Sequence, residues 1–148
     1  MTLEALLASL HLLAILTLVV FLSSQAALCR IEWLNAAVVE RLVRLDLIYG
    51  ITATVVLGSG LARVFWGIKG ASWYWSQPLL HTKITLFVVM VLLSIQPTLA
   101  FRRWRRNLRA TGALPLAPEV SRVRRLVMWQ SHLLPVVALL AVFWARGW

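Results

Sequence analysis

The sequence predicts an all-α fold, namely an integral membrane four-helix bundle that forms a single transmembrane domain over residues 1–148. The chain is 61% hydrophobic and only 14% charged, whereas soluble domains carry about 25% charged residues. Four apolar stretches are long enough to cross a bilayer, which takes about 20 helical residues each. These stretches cover residues 3–28, 46–65, 79–101 and 126–145. Four such helices leave little chain for a soluble module.

The first predicted span, residues 3–28, is expected to remain in the protein. Its apolar run is longer than the core of a secretory signal peptide, and no positively charged region precedes it. No convincing small-residue cleavage site follows it. The single cysteine, Cys29, comes directly after this span. One cysteine excludes an internal disulfide and a cysteine-based metal cluster.

The second predicted span, residues 46–65, is preceded by an amphipathic segment. Apolar residues recur there at helical spacing between Ala36 and Leu47. The span itself contains Gly58 and Gly60, small residues that let membrane helices approach closely. The following connector, residues 66–78, is rich in tryptophan, which is typical of a membrane–water interface.

The third and fourth predicted spans each contain a proline. Pro97 lies near the far end of the third span, and Pro135 lies inside the fourth. A membrane helix tolerates proline where neighbouring groups satisfy the freed backbone carbonyl. Both spans are therefore expected to remain helical.

The distribution of positive charge predicts the orientation. The predicted loop 102–125 holds eight arginines and one acidic residue, Glu119, whereas the connection between the second and third spans holds only Arg63 and Lys69. Because short loops rich in arginine stay in the cytoplasm, we expect this loop to be cytoplasmic and both termini to lie outside. The net charge of +10 is attributed to topology and to contact with anionic lipid, with a cytoplasmic protein partner as the alternative. Nucleic acid is not an expected partner, because the basic residues border apolar spans.

Four ionisable side chains fall in the outer half of the membrane in this orientation: His11, Arg63, His81 and Lys83. Such groups are costly in lipid, so each marks a candidate functional site. His11 lies about eight residues into the first helix, which is roughly 12 Å of depth. Three helices therefore direct imidazole or cationic groups toward one region.

Two imidazoles that face each other across a helical bundle can bind haem b axially. We therefore consider His11 and His81 as metal ligands, with His132 as the alternative second ligand. The alternative is structural: His11 hydrogen-bonds a neighbouring helix, and His81 lies among the lipid headgroups. Three cations are candidates for pairing with the haem propionates: Arg63, Lys69 and Lys83.

Two other chemistries fit the sequence less well. Three methionines, one cysteine and scattered histidines supply few soft ligands for copper. A Ser-His-Asp site lacks its acid, because Glu40 and Asp46 fall at the opposite membrane face. No short histidine-ligand motif such as His-x-x-x-His is present.

A specific set of segments runs along the chain. It comprises His11; Arg44-Leu45-Asp46 with Tyr49-Gly50; residues 58–65, Gly-Ser-Gly-Leu-Ala-Arg-Val-Phe; Lys69-Gly70; Tyr74; His81-Thr82-Lys83; residues 94–98, Ser-Ile-Gln-Pro-Thr; Phe101; and Trp104-Arg105-Arg106. In these segments, and over nearly its whole length, the chain resembles a family of bacterial inner-membrane proteins classified as a domain of unknown function. The resemblance implies a multi-pass protein of the bacterial inner (plasma) membrane and states no activity.

A second, more distant resemblance depends on a histidine in the first span and a His-x-Lys at the start of the third. His11, and His81 with Lys83, match these positions. In them the chain is similar to the HemJ-type protoporphyrinogen oxidases, small four-helix membrane proteins that bind haem b. The resemblance implies that His11 is the first candidate for the haem ligand and that Lys83 is the candidate catalytic residue. The Gly-Ser-Gly-Leu-Ala-Arg and Lys-Gly segments belong to the first family and not to the oxidases.

These observations leave three functional hypotheses. The first is a haem-b-binding membrane protein in redox chemistry, which oxidises a porphyrinogen or a quinol near the outer leaflet. The second is a non-catalytic membrane subunit or assembly factor, in which the face near Gly58 and Gly60 packs against a partner helix of a larger complex or of a second copy. A transporter or channel fits less well, because the short chain lacks the repeated, interrupted helices that transporters commonly show.

Overall fold

The computed structural model describes residues 2–66 and 71–145, and within them the chain is helical with no β-strand. The helices are α1 (Thr2–Leu28), α2 (Ala36–Trp66), α3 (Ala71–Trp75), α4 (Pro78–Thr111) and α5 (Ala117–Ala145). A short 3-10 turn, Ile31–Trp33, joins α1 to α2. The predicted all-α fold is therefore confirmed.

Among the described residues, three helices are long and apolar enough to cross a membrane. They are Leu3–Leu28, Ala36–Trp66 and Pro78–Thr111, whose most apolar windows have mean hydropathies of 2.6, 1.6 and 2.2. Large apolar side chains cover the outside of the bundle, a surface that suits lipid and not water. The predicted helical membrane bundle is thus confirmed. The fourth predicted span, 126–145, lies within helix α5, and its crossing of the membrane stays a prediction.

Helices α2 and α4 extend beyond the predicted spans at the end that carries the arginines. α2 begins well before residue 46, because Val39 and Leu42 are fully buried between helices. α4 continues until Gly112, which ends it with a left-handed φ of 70°. The predicted loop 102–125 is therefore mostly helix, and only residues 112–116 connect α4 to α5.

The four long helices form a closed ring in which each packs against two others. α1 contacts α2, α2 contacts α4, α4 contacts α5, and α5 contacts α1. Because short connections join successive long helices, neighbouring helices run antiparallel. We call the end with the α1–α2 and α4–α5 connections the basic end. The opposite end, with α3, the start of α1 and the end of α5, is the connector end.

The apolar core is concentrated toward the basic end. Its buried members are Leu18, Leu22, Cys29, Val39, Leu42, Tyr49, Met90, Ala100, Phe101, Trp104, Val120, Val123 and Val127. In α4, the rings of Phe101 and Trp104 meet edge to face with their centroids 5.5 Å apart. Trp104 Nε1 donates a 2.8 Å hydrogen bond to Glu119 of α5, and Arg103 pairs with the same carboxylate. These contacts fix α4 and α5 as a hairpin.

Candidate functional site

At the connector end, His11 of α1 packs against α2. Its Nδ1 lies 2.8 Å from the hydroxyl oxygen of Ser59, a residue that is buried in the bundle. The next residue, Gly60, lies directly against the imidazole ring. Two adjacent small residues on α2 thus form the surface on which the His11 ring lies.

The surroundings of Ser59 favour one tautomer of His11. The Ser59 hydroxyl oxygen lies 2.7 and 3.2 Å from the backbone carbonyl oxygens of Val55 and Val56, to which its single hydrogen can be donated. When that hydrogen is donated to a carbonyl, the Ser59 oxygen accepts from His11 Nδ1–H, and Nε2 is the unprotonated nitrogen of the neutral ring. A histidine held in this tautomer can offer Nε2 as a metal ligand or as a base.

Two cations from α2 and α4 lie near the same ring. Arg63 follows Ser59 by one turn of α2, and Lys83 lies near the start of α4. The charges of both act on His11, and the two cations also act on each other. Both side chains are half-buried. The connector-end site (His11, Ser59, Gly60, Arg63 and Lys83) therefore combines one imidazole with two cationic side chains, a set of groups that can contact an anionic ligand.

The other two histidines make hydrogen bonds elsewhere. His81 Nε2 donates to the backbone carbonyl of Trp75 at 2.9 Å, and the two rings lie 5.9 Å apart. His132 Nδ1 donates to a carbonyl one turn earlier in its own helix at 2.6 Å. All three histidines are in the described part of the chain, and no hydrogen bond joins either of these two to His11. Their roles as haem ligands stay predictions, and Lys69 lies outside the described residues.

The connector-end site offers one imidazole as a metal ligand and two cations near it. Within residues 2–66 and 71–145, no group of three or more His, Cys, Asp or Glu side chains could hold a metal ion. Haem iron receives its equatorial ligands from the porphyrin and needs one or two axial ligands from the protein. His11 could supply one such ligand, and Arg63 and Lys83 could pair with the propionates.

A small apolar groove lies between α1 and α5 and has a volume of about 210 Å³. It is lined by Ile15, Val19, Leu22, Ser23, Ser131, Leu134, Pro135 and Ala138. Two serine hydroxyls are the polar side chains of this lining, so the groove suits hydrocarbon and offers no charged group. It begins in α1 one turn from His11.

The structure also forms a polar layer toward the basic end, which sequence analysis missed. Its members are Gln25, Asp46, Tyr49, Thr98 and Gln130, and they come from all four long helices. Thr98 Oγ1 donates to Asp46 Oδ1 at 2.9 Å, and the Tyr49 hydroxyl donates to Gln130 Oε1 at 2.9 Å. Gln25 Nε2 is buried beside the Asp46 carboxyl, but the two groups do not meet in normal hydrogen-bond geometry.

Asp46 lies toward the end of the bundle opposite His11, but sequence analysis did not predict its burial. The side chain is only 6% exposed and lies among polar groups of other helices. The sequence did contain a signal for the polar layer, because each long helix carries a polar residue at a similar distance from the basic end. Paired polar groups in a bundle interior hold the helices in one register, since a shifted register would leave them unpaired.

A family model described as "Predicted membrane protein (DUF2214)" matches residues 3–148. The match covers nearly the whole chain, which confirms the resemblance to a family of unknown function. No curated protein matches the chain, and no solved structure does. The similarity to HemJ-type oxidases therefore depends on the few sequence positions that carry it.

Proposed function

The chain belongs to this family of predicted membrane proteins, and from that premise we propose that it binds haem b at the connector-end site. The haem would serve redox chemistry on a porphyrinogen or a quinol. The observation that carries the proposal is the 2.8 Å hydrogen bond between His11 Nδ1 and Ser59 Oγ. With the Nδ1 hydrogen donated to Ser59, Nε2 would be unprotonated, and an unprotonated imidazole nitrogen is what binds a metal.

In this proposal His11 would hold the haem and Ser59 would orient the His11 ring. Ligating histidines usually donate their second N–H to a protein acceptor, which fixes the tautomer and the ring orientation. A bound haem supplies one-electron transfer. Arg63 and Lys83, with Lys69 of the connector, bind the propionates or the carboxylates of the substrate. Lys83 is the proposed catalytic residue, because its half-buried ammonium can position a substrate carboxylate near the ring.

A single histidine ligand is the arrangement that we propose. His81 and His132 each donate a hydrogen bond to a backbone carbonyl. Either one would have to break that bond and move its ring before it could join His11. A single histidine ligand would need no such rearrangement.

Visible absorption spectroscopy of the detergent-purified protein tests the proposal. After expression with ample haem, we expect a Soret band in the wild type and its loss in His11→Ala. The matched variants His81→Ala and His132→Ala should keep the band; its loss in one of them would instead assign a second ligand. A wild-type protein without a Soret band would overturn the proposal.

We also propose that the protein is a multi-pass protein of the bacterial inner membrane. The basic end would face the cytoplasm and contact anionic lipid, and both termini would lie outside. The support is the concentration of eight arginines in residues 102–125.

A non-catalytic membrane subunit or assembly factor is the alternative function, and exposed small residues on α2 favour it. Gly50, Thr54 and Gly58 recur every four residues and are exposed. A Cβ added at either glycine would meet no atom within 4 Å. Such a line lets another membrane helix approach closely. Gly60 does not belong to it, because His11 covers that position.

Size-exclusion chromatography with light scattering tests this alternative. A larger complex or a homo-oligomer in the wild type should dissociate in a Gly50→Leu/Gly58→Leu variant, because the larger side chains keep the partner helix away. A wild-type protein that is monomeric and free of partners in mild detergent would count against the alternative.

A further inference from the structure

At the basic end of α4, four arginines lie on one face of the helix. The three later arginines follow the first by three, four and seven residues, and this spacing places all four on one side of the helix. They are Arg102, Arg105, Arg106 and Arg109. Together with Ala110 they line an open groove of about 530 Å³. The guanidinium groups of this arginine face therefore share one space.

Most of the positive charge on this face is not neutralised. Arg109 pairs with Glu40 of α2, with an N–O distance of 2.7 Å. Arg105 and Arg106 form no ion pair within the described residues. The charge of Arg102 interacts with the Asp46 carboxylate, but the two do not form an ion pair. The Asp46 Oδ1 atom accepts a hydrogen bond from Thr98. An anion in the groove would offset the repulsion between these arginines.

An exposed apolar line leads along α4 to the arginine face. Val88, Leu92, Ile95 and Leu99 are 49%, 60%, 47% and 59% exposed. Their spacing of three and four residues continues through Arg102, Arg106 and Arg109, so the apolar and basic residues form one stripe. From Val88 to Leu99 the helix rises roughly 16 Å. Half of the hydrocarbon thickness of a bilayer is about 15 Å.

We propose that this α4 stripe is a binding site for one anionic phospholipid of the leaflet at the basic end. The headgroup phosphate binds among Arg102, Arg105 and Arg106, because guanidinium groups pair with phosphate oxygens in a bidentate manner. An acyl chain packs along the exposed line that ends at Leu99. The apolar part of the stripe favours a lipid over a soluble phosphate ester, because a soluble ester would use the arginines alone. The inference depends on the membrane embedding of α4 and not on haem binding.

Native mass spectrometry of the full-length protein in detergent tests the site. We expect phosphatidylglycerol to bind at least tenfold more tightly than phosphatidylcholine. The double variant Arg105→Gln/Arg106→Gln should weaken phosphatidylglycerol binding about thirtyfold. Each arginine near anionic lipid contributes about 1 kcal/mol of binding free energy, and the two losses together correspond to that factor. The matched control, Arg122→Gln/Arg125→Gln, removes two exposed arginines of the same basic segment from α5 and should change binding less than threefold.

Equal losses in the two double variants would overturn the proposal, because they would show a general charge effect. Binding of glycerol 3-phosphate as tight as that of the lipid would also overturn it and would identify a soluble phosphate ester as the ligand. Photo-cross-linking of wild-type protein with a phosphatidylglycerol that carries a diazirine on its acyl chain gives a test that needs no variant. Cross-links that map to residues 88–99 support the site, whereas cross-links spread over α1 and α5 contradict it.

Discussion

Gly60 of α2 lies so close to His11 of α1 that a methyl group at Gly60 would be 3.2 Å from Cε1 of the imidazole. The ring is held from the same helix by Ser59, whose oxygen is 2.8 Å from Nδ1. A glycine and a serine side by side therefore determine where the His11 imidazole can lie, and they set the geometry of the proposed site.

Gly60→Ala should shift the His11 ring by a few tenths of an ångström and weaken its hydrogen bond to Ser59. Since such a bond contributes about 0.5–1.5 kcal/mol, we expect haem affinity to fall roughly three- to tenfold. Haem titration of the purified protein measures the change. Gly58→Ala is the matched control, because a Cβ there meets no atom within 4 Å and should change nothing. Equal affinities in the two variants would contradict the role assigned to Gly60.

Ser59→Ala removes the acceptor for the His11 Nδ1 hydrogen and leaves the tautomer free to change. Loss of such a supporting hydrogen bond typically costs roughly 10–100-fold in metal affinity. We expect a weaker and broader Soret band and a changed midpoint potential. Ser94→Ala is the control, since the Ser94 hydroxyl donates to a carbonyl of its own helix. A Ser59→Ala spectrum identical to the wild type would argue against His11 as the ligand.

Thr98→Val should destabilise the bundle because it removes the hydroxyl that donates to the buried Asp46. We expect a loss of about 1 kcal/mol in the free energy of unfolding. Thermal unfolding followed by tryptophan fluorescence should show a lower melting temperature. Thr85→Val, where the exposed hydroxyl bonds only its own helix, serves as control and should leave the melting temperature unchanged. If both variants melt alike, the polar layer does not stabilise the fold.

The stability of the α4–α5 hairpin should depend on pH through Glu119. Partial burial raises the pKa of Glu119, but the hydrogen bonds from Trp104 and Arg103 and the charges of Arg103 and Arg122 outweigh it and hold the pKa below its usual value. The folded state therefore binds this proton less readily than the unfolded chain. The stabilising contribution is fully present at neutral pH and is lost as the pH falls through the acidic range in which Glu119 titrates.

Melting temperatures of the wild type and Glu119→Gln between pH 7 and pH 3 measure this contribution. The wild type should be the more stable protein at pH 7, and the difference should shrink toward acid pH because protonation removes the same charge as the substitution. A difference that stays constant over the whole range would exclude Glu119 as the cause.

Cysteine labelling should establish the orientation. Cys29 is fully buried, and burial raises its pKa to about 12, so the native thiol should not react with a maleimide. Ala113→Cys, exposed in the α4–α5 connection, should react only when the reagent reaches the cytoplasmic face. Ser76→Cys, exposed at the connector end, should react in spheroplasts, whose inner membrane is intact and whose outer face is accessible to the reagent. The opposite pattern would reverse the predicted topology.

Much of the candidate site could be predicted from the sequence because ionisable groups stand out in apolar spans. Counting residues along each helix was enough to place His11, Arg63 and Lys83 at one depth. Counting could not give the direction in which a side chain points around its helix. For that reason His81 was considered as a partner for His11, although its ring bonds the Trp75 carbonyl. The burial of Asp46 among polar groups of other helices was not predicted for the same reason.

The sequence by itself determined the helical membrane bundle, its apolar stretches and the concentration of arginine at one end, because these depend on composition and spacing along a single helix. Only the tertiary structure decided that Ser59 and Gly60 hold His11, that the polar layer joins four helices, and that α4 stays helical through its arginines. These features depend on which faces of different helices meet. That choice is made by packing and hydrogen bonds between residues far apart in the chain, such as the 81 positions that separate Tyr49 from Gln130.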